Sequence, residues 1–563
     1  MILTLNRRML IVSCHPQYVF TIARQMSETF LPVSKMPVLD GFFRVIRLFS
    51  AMFRAFACGR TRLAFLSGDG FFSGRPIREG VVMQEEMMGF GVCRVRRGAL
   101  AVIGCLFLAG ISWAGDYSDG MRFYQGMDYE NAFSAFRRAA EKGNAAAQSA
   151  LGAMYYNGEG TGEDEAMAAH WYLKAAEHGR MDAQFALAEM YEAGEGVRQD
   201  LKKAAFWYKK AAEQGHLLAQ TNLGILYMEG RGVKRDDAKA VALLTNPARQ
   251  GVALAQTNLA MLYASGRGVK ANTHKALEWY RKAASQGEAD AQFSLGNMYE
   301  DGTGVEKNLL KAAAWYRQAA EQGNAEAQNN LGRLYMEGGD FEGHEDEAFV
   351  WFQRAADQEY AEAQTNLGVL YAYGLGVDQD VDKAVYWYAR AAEKGQPEGA
   401  FFLAEAYYRG EGVERNDKLA VKWYEFAAKN GVPESQDRLG LMYTNGLGVR
   451  QDYAKAVYWF RKAARQGYAE SQNNLGVLHA RGLGVEQDYA RAIAWYRKAI
   501  AQNLPQAQFN LGTMYLQGHG VKKDIRMARQ WFMKAAEQGL PEAEKSLERL
   551  PKDGESIDTD LST

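Results

Sequence analysis

Tryptophan recurs with one fixed spacing through most of this 563-residue chain. Ten tryptophans follow one another at intervals of 36 residues, apart from one interval of 72 whose midpoint is Leu243. They are Trp171, Trp207, Trp279, Trp315, Trp351, Trp387, Trp423, Trp459, Trp495 and Trp531. The residues around them repeat with the same period, which divides 144–539 into eleven units without an insertion. Such a period indicates a stacked array in which each unit must pack on its neighbours to bury its apolar face.

Each unit has the pattern of two helices, numbered here from position 1 (Asn144 in the first unit) to position 36. Small or apolar residues at positions 4, 8, 11 and 12 form one face of a first helix, and glycines at positions 15 and 17 end it. Position 21 is Asp or Asn in ten of the eleven units, where it is suited to cap a second helix. That helix has a small residue at position 25, Trp at 28 and Ala at 32. The sequence therefore predicts an all-α fold, an α-solenoid of eleven helix–turn–helix repeats.

Partial units flank the array. Residues 115–143 contain a shortened unit, which we interpret as an N-terminal capping helix pair. Residues 540–563 begin like the first helix of a twelfth unit and continue as a polar tail, so we expect a C-terminal capping helix there.

Two segments, "AQTNLGILYMEGRGVKRDDAKA" and "DYAKAVYWFRKAARQG", resemble the Sel-one-like repeat (SLR) family of the tetratricopeptide superfamily. The resemblance extends over about 120–550. It implies a right-handed superhelix of antiparallel helix pairs and a non-catalytic scaffold or adaptor, often in bacterial envelopes or at host interfaces. One branch of the family has disulfides in each repeat and binds penicillin. All four cysteines here precede Ala114, so that activity is not expected.

The segment "RVRRGALAVIGCLFLAGISWAG" (94–115) has the three parts of a secretory signal peptide: a basic start, an apolar stretch and a small-residue end. We predict a signal peptide over 87–114, cleavage after Ala114, and a periplasmic or secreted protein. Residues 1–86 are interpreted as a wrongly assigned N-terminal extension, disordered or absent, with translation beginning at Met83, Met87 or Met88 rather than at Met1. Lipidation of Cys105 is the alternative, disfavoured because apolar residues continue beyond it.

Charge and composition exclude some functions. Residues 115–563 carry 52 Lys or Arg against 61 Asp or Glu, and nucleic-acid binders usually show a basic surface, so we expect no nucleic-acid partner. A membrane contact is expected only through the signal segment if it stays uncleaved. The oligomeric state is not predicted.

No pattern of catalytic, cofactor or metal-binding residues emerges. The Gly-x-Gly motifs lack the Lys-Ser/Thr of a phosphate loop, and the Asp row at position 21 is better explained by helix capping. The acidic loop 338–347 either holds a divalent cation or, as we expect, is simply solvated. We therefore predict a protein that is not an enzyme and needs no cofactor or metal. The alternative is a periplasmic hydrolase acting on β-lactams or peptidoglycan.

Binding is expected on the face that the first helices leave open, opposite positions 4, 8 and 12. Position 7 is Asn in six units, and an amide offers donors and an acceptor to the backbone of a protein or extended peptide. These residues are Asn222, Asn258, Asn330, Asn366, Asn474 and Asn510. The alternative is that they bond the neighbouring repeat. Position 6 adds Phe185, Phe293, Phe401 and Phe509, one in every third unit, as exposed anchors, as the trace of a duplicated three-unit block, or by chance.

Overall fold

The computed structural model describes residues 2–5, 8–11 and 115–550. The remainder of the predicted extension 1–86, the predicted signal peptide 87–114 and the polar tail 551–563 lie outside the described residues. The chain divides into two parts, Met1–Leu100 and Ala101–Thr563. In the first part, β1 (Ile2–Leu5) pairs antiparallel with β2 (Arg8–Ile11), with Leu3 opposite Leu10.

The second part is built from helices joined by short turns. In chain order they are α1 (Asp116–Gln125), α2 (Tyr129–Glu141), α3 (Ala145–Asn157), α4 (Glu165–Glu177), α5 (Met181–Ala193), α6 (Leu201–Glu213), α7 (Leu217–Glu229), α8 (Asp237–Arg249), α9 (Ala253–Ser265), α10 (Thr273–Ala284), α11 (Ala289–Asp301), α12 (Leu309–Glu321), α13 (Ala325–Met336), α14 (Glu345–Asp357), α15 (Ala361–Tyr373), α16 (Val381–Glu393), α17 (Pro397–Arg409), α18 (Asp417–Lys429), α19 (Pro433–Asn445), α20 (Tyr453–Arg465), α21 (Ala469–Arg481), α22 (Tyr489–Ile500), α23 (Pro505–Gln517), α24 (Ile525–Ala536) and α25 (Pro541–Arg549). Odd-numbered helices from α3 to α23 are the first helices of the eleven units, and even-numbered helices from α4 to α24 are the second. This confirms the predicted solenoid of helix pairs.

The predicted helix boundaries are confirmed at both ends. Asp164 at position 21 accepts a hydrogen bond from the Met167 amide at 2.9 Å, and ten of the eleven second helices begin with such a cap. Gly158 at position 15 ends α3 with a φ of 70°, a conformation that costs other residues more. The sixth unit is the exception, because His344 makes no side-chain cap and a 3-10 turn, Gly339–Phe341, occupies the loop.

In every unit the side chain at position 29 is more deeply buried than the one at position 28, which is usually tryptophan. Position 29 is aromatic in ten units, and Tyr208, Tyr316 and Tyr424 are fully buried. Each ring lies against the small residue at position 9 of its own first helix, and a Cβ on Gly296 would come within 2.4 Å of the Tyr316 ring. Most of the tryptophans are only half-buried, at the edge of this contact. The tryptophans that mark the repeat in the sequence therefore contribute less to the core than the residues that follow them.

The helices form two layers. Each helix packs on the next helix in the chain. The first helices of adjacent units also contact one another, for example α15 with α17 and α21 with α23. The corresponding pairs of second helices are less close. The first helices therefore line the inner side of the solenoid and the second helices its outer side.

A row of buried glutamines joins the units. Gln328, at position 5, donates its Nε2 to the carbonyl oxygen of Ala320 in the preceding unit at 2.9 Å. Its Oε1 accepts from Gln358 at position 35 at 2.8 Å. The same pair of bonds recurs at Gln184, Gln256, Gln292, Gln436 and Gln472. The sequence analysis did not identify this row.

The row is interrupted in the seventh unit. Gln364 still donates to Ala356, but Lys394 replaces glutamine at position 35 and pairs with Glu359 at 2.6 Å. Oε1 of the fully buried Gln364 has no hydrogen-bond partner among the described residues. A buried unpaired acceptor costs about 1–3 kcal/mol, so this junction is less stable than one in which glutamine makes both bonds.

We expect Lys394→Gln to stabilise the seventh unit by about 1 kcal/mol, because it supplies the missing donor to Gln364. Hydrogen exchange of α15 and α16 measures the effect locally. The reverse change in an intact unit, Gln466→Lys, should speed exchange in α19 and α20, since Gln466 donates to Gln436 at 2.9 Å. Unchanged protection in both variants would show that the glutamine row contributes nothing to stability.

The third unit should open before the others. It has Leu243 and Leu244 in place of the aromatic pair, and Pro247 lies inside α8, where it removes one backbone hydrogen bond. We expect faster hydrogen exchange over 241–250 than over 385–394, and slower exchange in α8 on Pro247→Ala. A proline in a helix interior costs about 3 kcal/mol, which sets the upper limit of the gain. Equal protection of the two segments in the wild-type protein would contradict the prediction.

Candidate functional site

The inner face carries the predicted asparagine row. Asn366 donates to Oδ1 of Asn329 at 2.9 Å, and Asn510 donates to Oδ1 of Asn473 at 2.8 Å. In both pairs the acceptor is at position 6 of the preceding first helix. Position 7 of one unit is therefore linked to position 6 of the unit before it.

The other four asparagines vary this arrangement. Asn474 donates to Asp437 at 3.1 Å, Asn330 donates to Asn297 at 3.4 Å, and Asn222 donates to the Tyr208 hydroxyl at 3.2 Å. Asn258 instead donates to the carbonyl oxygen of Leu254 in its own helix at 2.8 Å. Five of the six asparagines thus bond a preceding unit, which is the alternative that the sequence left open.

This bond does not use the whole amide. Asn366, Asn474 and Asn510 are half-buried, and within the described residues their side-chain carbonyl oxygens accept no hydrogen bond. Each is therefore an acceptor that water or a ligand can reach. The asparagine row therefore links the units, and it also leaves three unused hydrogen-bond acceptors on the inner face.

The phenylalanines at position 6 pack against other aromatic rings. Phe293, Phe401 and Phe509 are half-buried, and Phe185 is 3% exposed, stacked on His216 with ring centroids 4.3 Å apart. Each ring also lies 5.3–6.1 Å from the position-29 ring of its own unit, for example Phe401 from Tyr424. Phe185 is too buried to be an exposed anchor. The contact repeats in every third unit, as a duplicated three-unit block would require.

Three polar clusters recur with the same three-unit period. They were not predicted from the sequence. In each, the hydroxyl of a buried tyrosine donates to a glutamate of the first helix, and the next unit supplies an arginine to that glutamate. The clusters are Tyr208–Glu192–Arg231, Tyr316–Glu300–Arg333 and Tyr424–Glu405–Arg438. Burial, followed by the adjacent carboxylate, raises the pKa of each tyrosine, so its hydroxyl remains a donor. The clusters satisfy their own charges and join the units.

Asp437 is one of two buried carboxylates of the described first helices, the other being Asp182. Asp437 accepts from Oγ of Ser471 at 2.6 Å and from Asn474, and it is 5% exposed. Burial raises the pKa of Asp437 in spite of these donors. Its bonds run to the next first helix, so its role is to hold α19 against α21.

The described residues do not form a metal-binding site. No group of three His, Cys, Asp or Glu side chains there is arranged to hold a metal ion. In the acidic loop, Phe341 is buried, His344 packs on the Tyr335 ring, and Glu347 pairs with Arg317. The loop therefore packs against its own unit and is also paired with the preceding one. None of the described helices is long and apolar enough to span a bilayer.

Comparison with known proteins agrees with this architecture. The profile of the Sel1 repeat matches eleven successive segments, namely 145–179, 182–216, 217–252, 253–288, 289–324, 325–360, 361–396, 397–432, 433–468, 469–504 and 505–540. A search of curated protein sequences found no match.

The solved structures that are similar to this chain include two Sel1 repeat proteins. One is c5321, a protective antigen of uropathogenic Escherichia coli strains with an SLR fold, which is 38% identical with a TM-score of 0.65 and covers 75% of this chain and 91% of its own. Another is a Sel1 repeat protein from Oxalobacter formigenes, 34% identical with a TM-score of 0.44, covering 55% of this chain and 90% of its own. The fold is that of a protein–protein interaction scaffold, and the chain belongs to the Sel1 repeat family.

Proposed function

We propose that this protein is an exported, non-catalytic scaffold that binds an extended segment of a partner protein along its inner face. The observation that carries the proposal is the row of position-7 asparagines, three of which keep a reachable carbonyl oxygen after bonding the preceding unit. Asn474 and Asn510 lie in adjacent units and Asn366 lies three units before Asn474, so these acceptors suit backbone amides spread along an extended peptide.

The charge of the inner face favours one kind of peptide. The eleven first helices contain 14 Asp or Glu and only 4 Lys or Arg. Long-range attraction to such a surface speeds the association of cationic segments. A partner segment rich in Lys or Arg is therefore favoured over an acidic one.

Export is part of the proposal and is supported by two observations. The segment 94–114 has the composition of a signal peptide, and the similar c5321 is a protective antigen.

A pair of substitutions separates binding from inter-unit bonding. Asn366→Ala and Asn329→Ala both remove the 2.9 Å bond between the two residues, but Asn329 is fully buried and Asn366 is reachable from the inner face. Peptides are first selected from a random linear display library on the full-length protein. We expect Asn366→Ala to weaken the selected peptide by about fivefold to tenfold, since one hydrogen bond contributes about 1 kcal/mol.

The control is Asn329→Ala, which should lower the melting temperature at least as much and leave the peptide affinity within twofold. If both variants change affinity equally, the asparagines act only as links between units. If the library yields no binder, the extended-peptide proposal fails as a whole.

The export proposal predicts the start of the mature protein. Amino-terminal sequencing of the protein from its native cells should find Gly115, and cell fractionation should place it outside the inner membrane. A chain that begins at Met1, or that carries a lipid on Cys105, would contradict the predicted cleavage.

A further inference from the structure

The outer helices at the C-terminal end of the solenoid form a basic face. α20, α22 and α24, the second helices of the last three units, contain ten Lys or Arg and no Asp or Glu. The other eight second helices contain 18 basic and 14 acidic residues together. The excess of positive charge is therefore concentrated at one end of the outer layer.

Only part of this positive charge is neutralised within the described residues. Lys455 and Arg491 each pair with the Asp that caps their own helix, at 3.9 and 3.1 Å. Arg497, Lys498 and Lys534 are exposed and form no ion pair with a described carboxylate. The ammonium groups of Lys498 and Lys534 lie 4.2 and 4.6 Å from the ring centroids of Trp495 and Trp531, which holds them along one line.

The chain itself supplies an acidic segment beside this face. Residues 551–563, "PKDGESIDTDLST", carry four carboxylates and one lysine and directly follow α25. In complete units, the loop after a first helix touches the start of the preceding second helix. For example, a Cβ on Gly484 would lie 2.4 Å from the backbone of Tyr453, the first residue of α20. By number, residues 551–563 correspond to positions 12–24 of a twelfth unit, and a path like that of the complete units would bring them to the start of α24.

The segment is long enough to cross the face. Thirteen extended residues span about 40 Å. Adjacent layers of helices are about 10 Å apart, so the three basic helices extend over about 20 Å. The acidic charge of segment 551–563, its direct connection to α25 and its length all favour this segment as the occupant of the basic face.

We propose that the basic face of α20, α22 and α24 binds acidic polypeptide, and that its occupant is the chain's own segment 551–563. Docking places Asp553, Glu555, Asp558 and Asp560 among the unneutralised cations and closes the face to other anionic ligands. The interaction is electrostatic and multivalent, so it weakens with salt as the screening length falls from about 10 Å at 0.1 M to about 3 Å at 1 M. It is independent of any partner on the inner face.

The test compares the full-length chain with a chain that ends at Pro551, using a fluorescent peptide of sequence 551–563 as the probe. At 20 mM NaCl the truncated chain should bind the peptide at least fivefold more tightly than the full-length chain. In the full-length chain the attached segment competes at an effective concentration in the millimolar range. At 0.5 M NaCl both should lose the peptide. Equal affinity of the two chains at low salt would overturn the proposal.

Two sets of variants locate the surface. In the truncated chain, Arg497→Ala, Lys498→Ala and Lys534→Ala together should weaken the peptide at least fivefold. The matched control removes three exposed lysines from α6 at the other end, by Lys202→Ala, Lys203→Ala and Lys210→Ala, and should change the affinity less than twofold. Equal losses of peptide affinity in the two triple variants would show that the peptide binds to positive charge in general. That result would overturn the assignment of the basic face.

A further variant leaves the solenoid untouched. Full-length protein with Asp553→Asn, Glu555→Gln, Asp558→Asn and Asp560→Asn should bind the acidic peptide as tightly as the truncated chain does. Light scattering at 20 mM NaCl should give a monomer for the wild-type chain, and a salt-sensitive dimer would mean that the segment docks on a second copy. If the truncated chain instead binds vesicles of phosphatidylglycerol and phosphatidylcholine but not the peptide, the face is a membrane surface and the proposal is wrong.

Discussion

The contact between one aromatic ring and one small residue determines how each unit is built. The position-29 ring lies directly on position 9 of the first helix, and a Cβ on Gly476 would come within 2.4 Å of the Tyr496 ring. Because the ring touches helix backbone, it sets the distance between the two helices of a pair. Every later feature, from the glutamine row to the inner face, requires that distance to be the same in successive units. In the third unit Leu244 takes the place of the ring. Its side chain also packs on Gly224, because a Cβ added to Gly224 would lie 2.8 Å from Leu244 Cγ. The aliphatic side chain thus keeps the spacing and loses contact area.

Periodic features that act locally were predictable, because they depend on a few consecutive residues. The cap formed by Asp164 and the helix end at Gly158 follow from residue type and position alone. The choice between positions 28 and 29 did not follow, since both are aromatic and adjacent. Which one is buried depends on how the second helix is rotated against the first, and only the assembled pair shows it. The glutamine row was not predicted because glutamine is expected to be solvent-exposed. Its hydrogen-bond partners in two other helices become known only from the structure.

The candidate site illustrates the same limit. The sequence predicted that the position-7 asparagines form a row and left open whether they bond a ligand or a neighbouring unit. Resolving this requires distances between helices that are a full unit apart in the chain, such as that from Asn366 to Asn329. The Tyr–Glu–Arg clusters were beyond sequence reasoning for a further reason. Their glutamates change position between blocks, from 13 in Glu300 to 10 in Glu405, so no single column reveals them.

In an array of equivalent units, the residues that hold the fold and the residues that distinguish one unit from another belong to different sets. The ring contact, the caps and the glutamine row are repeated because each junction needs them, and a fault in one junction stays local. A ligand that binds at a defined place along the array must instead recognise residues that are not repeated everywhere. The concentration of cations on α20, α22 and α24 is such a departure, and so is the acidic loop of the sixth unit. Selection for stability alone would not confine basic residues to one end of the outer layer, because unpaired like charges on adjacent helices repel one another. In our proposal an opposite charge covers them, and the four carboxylates of 551–563 supply it.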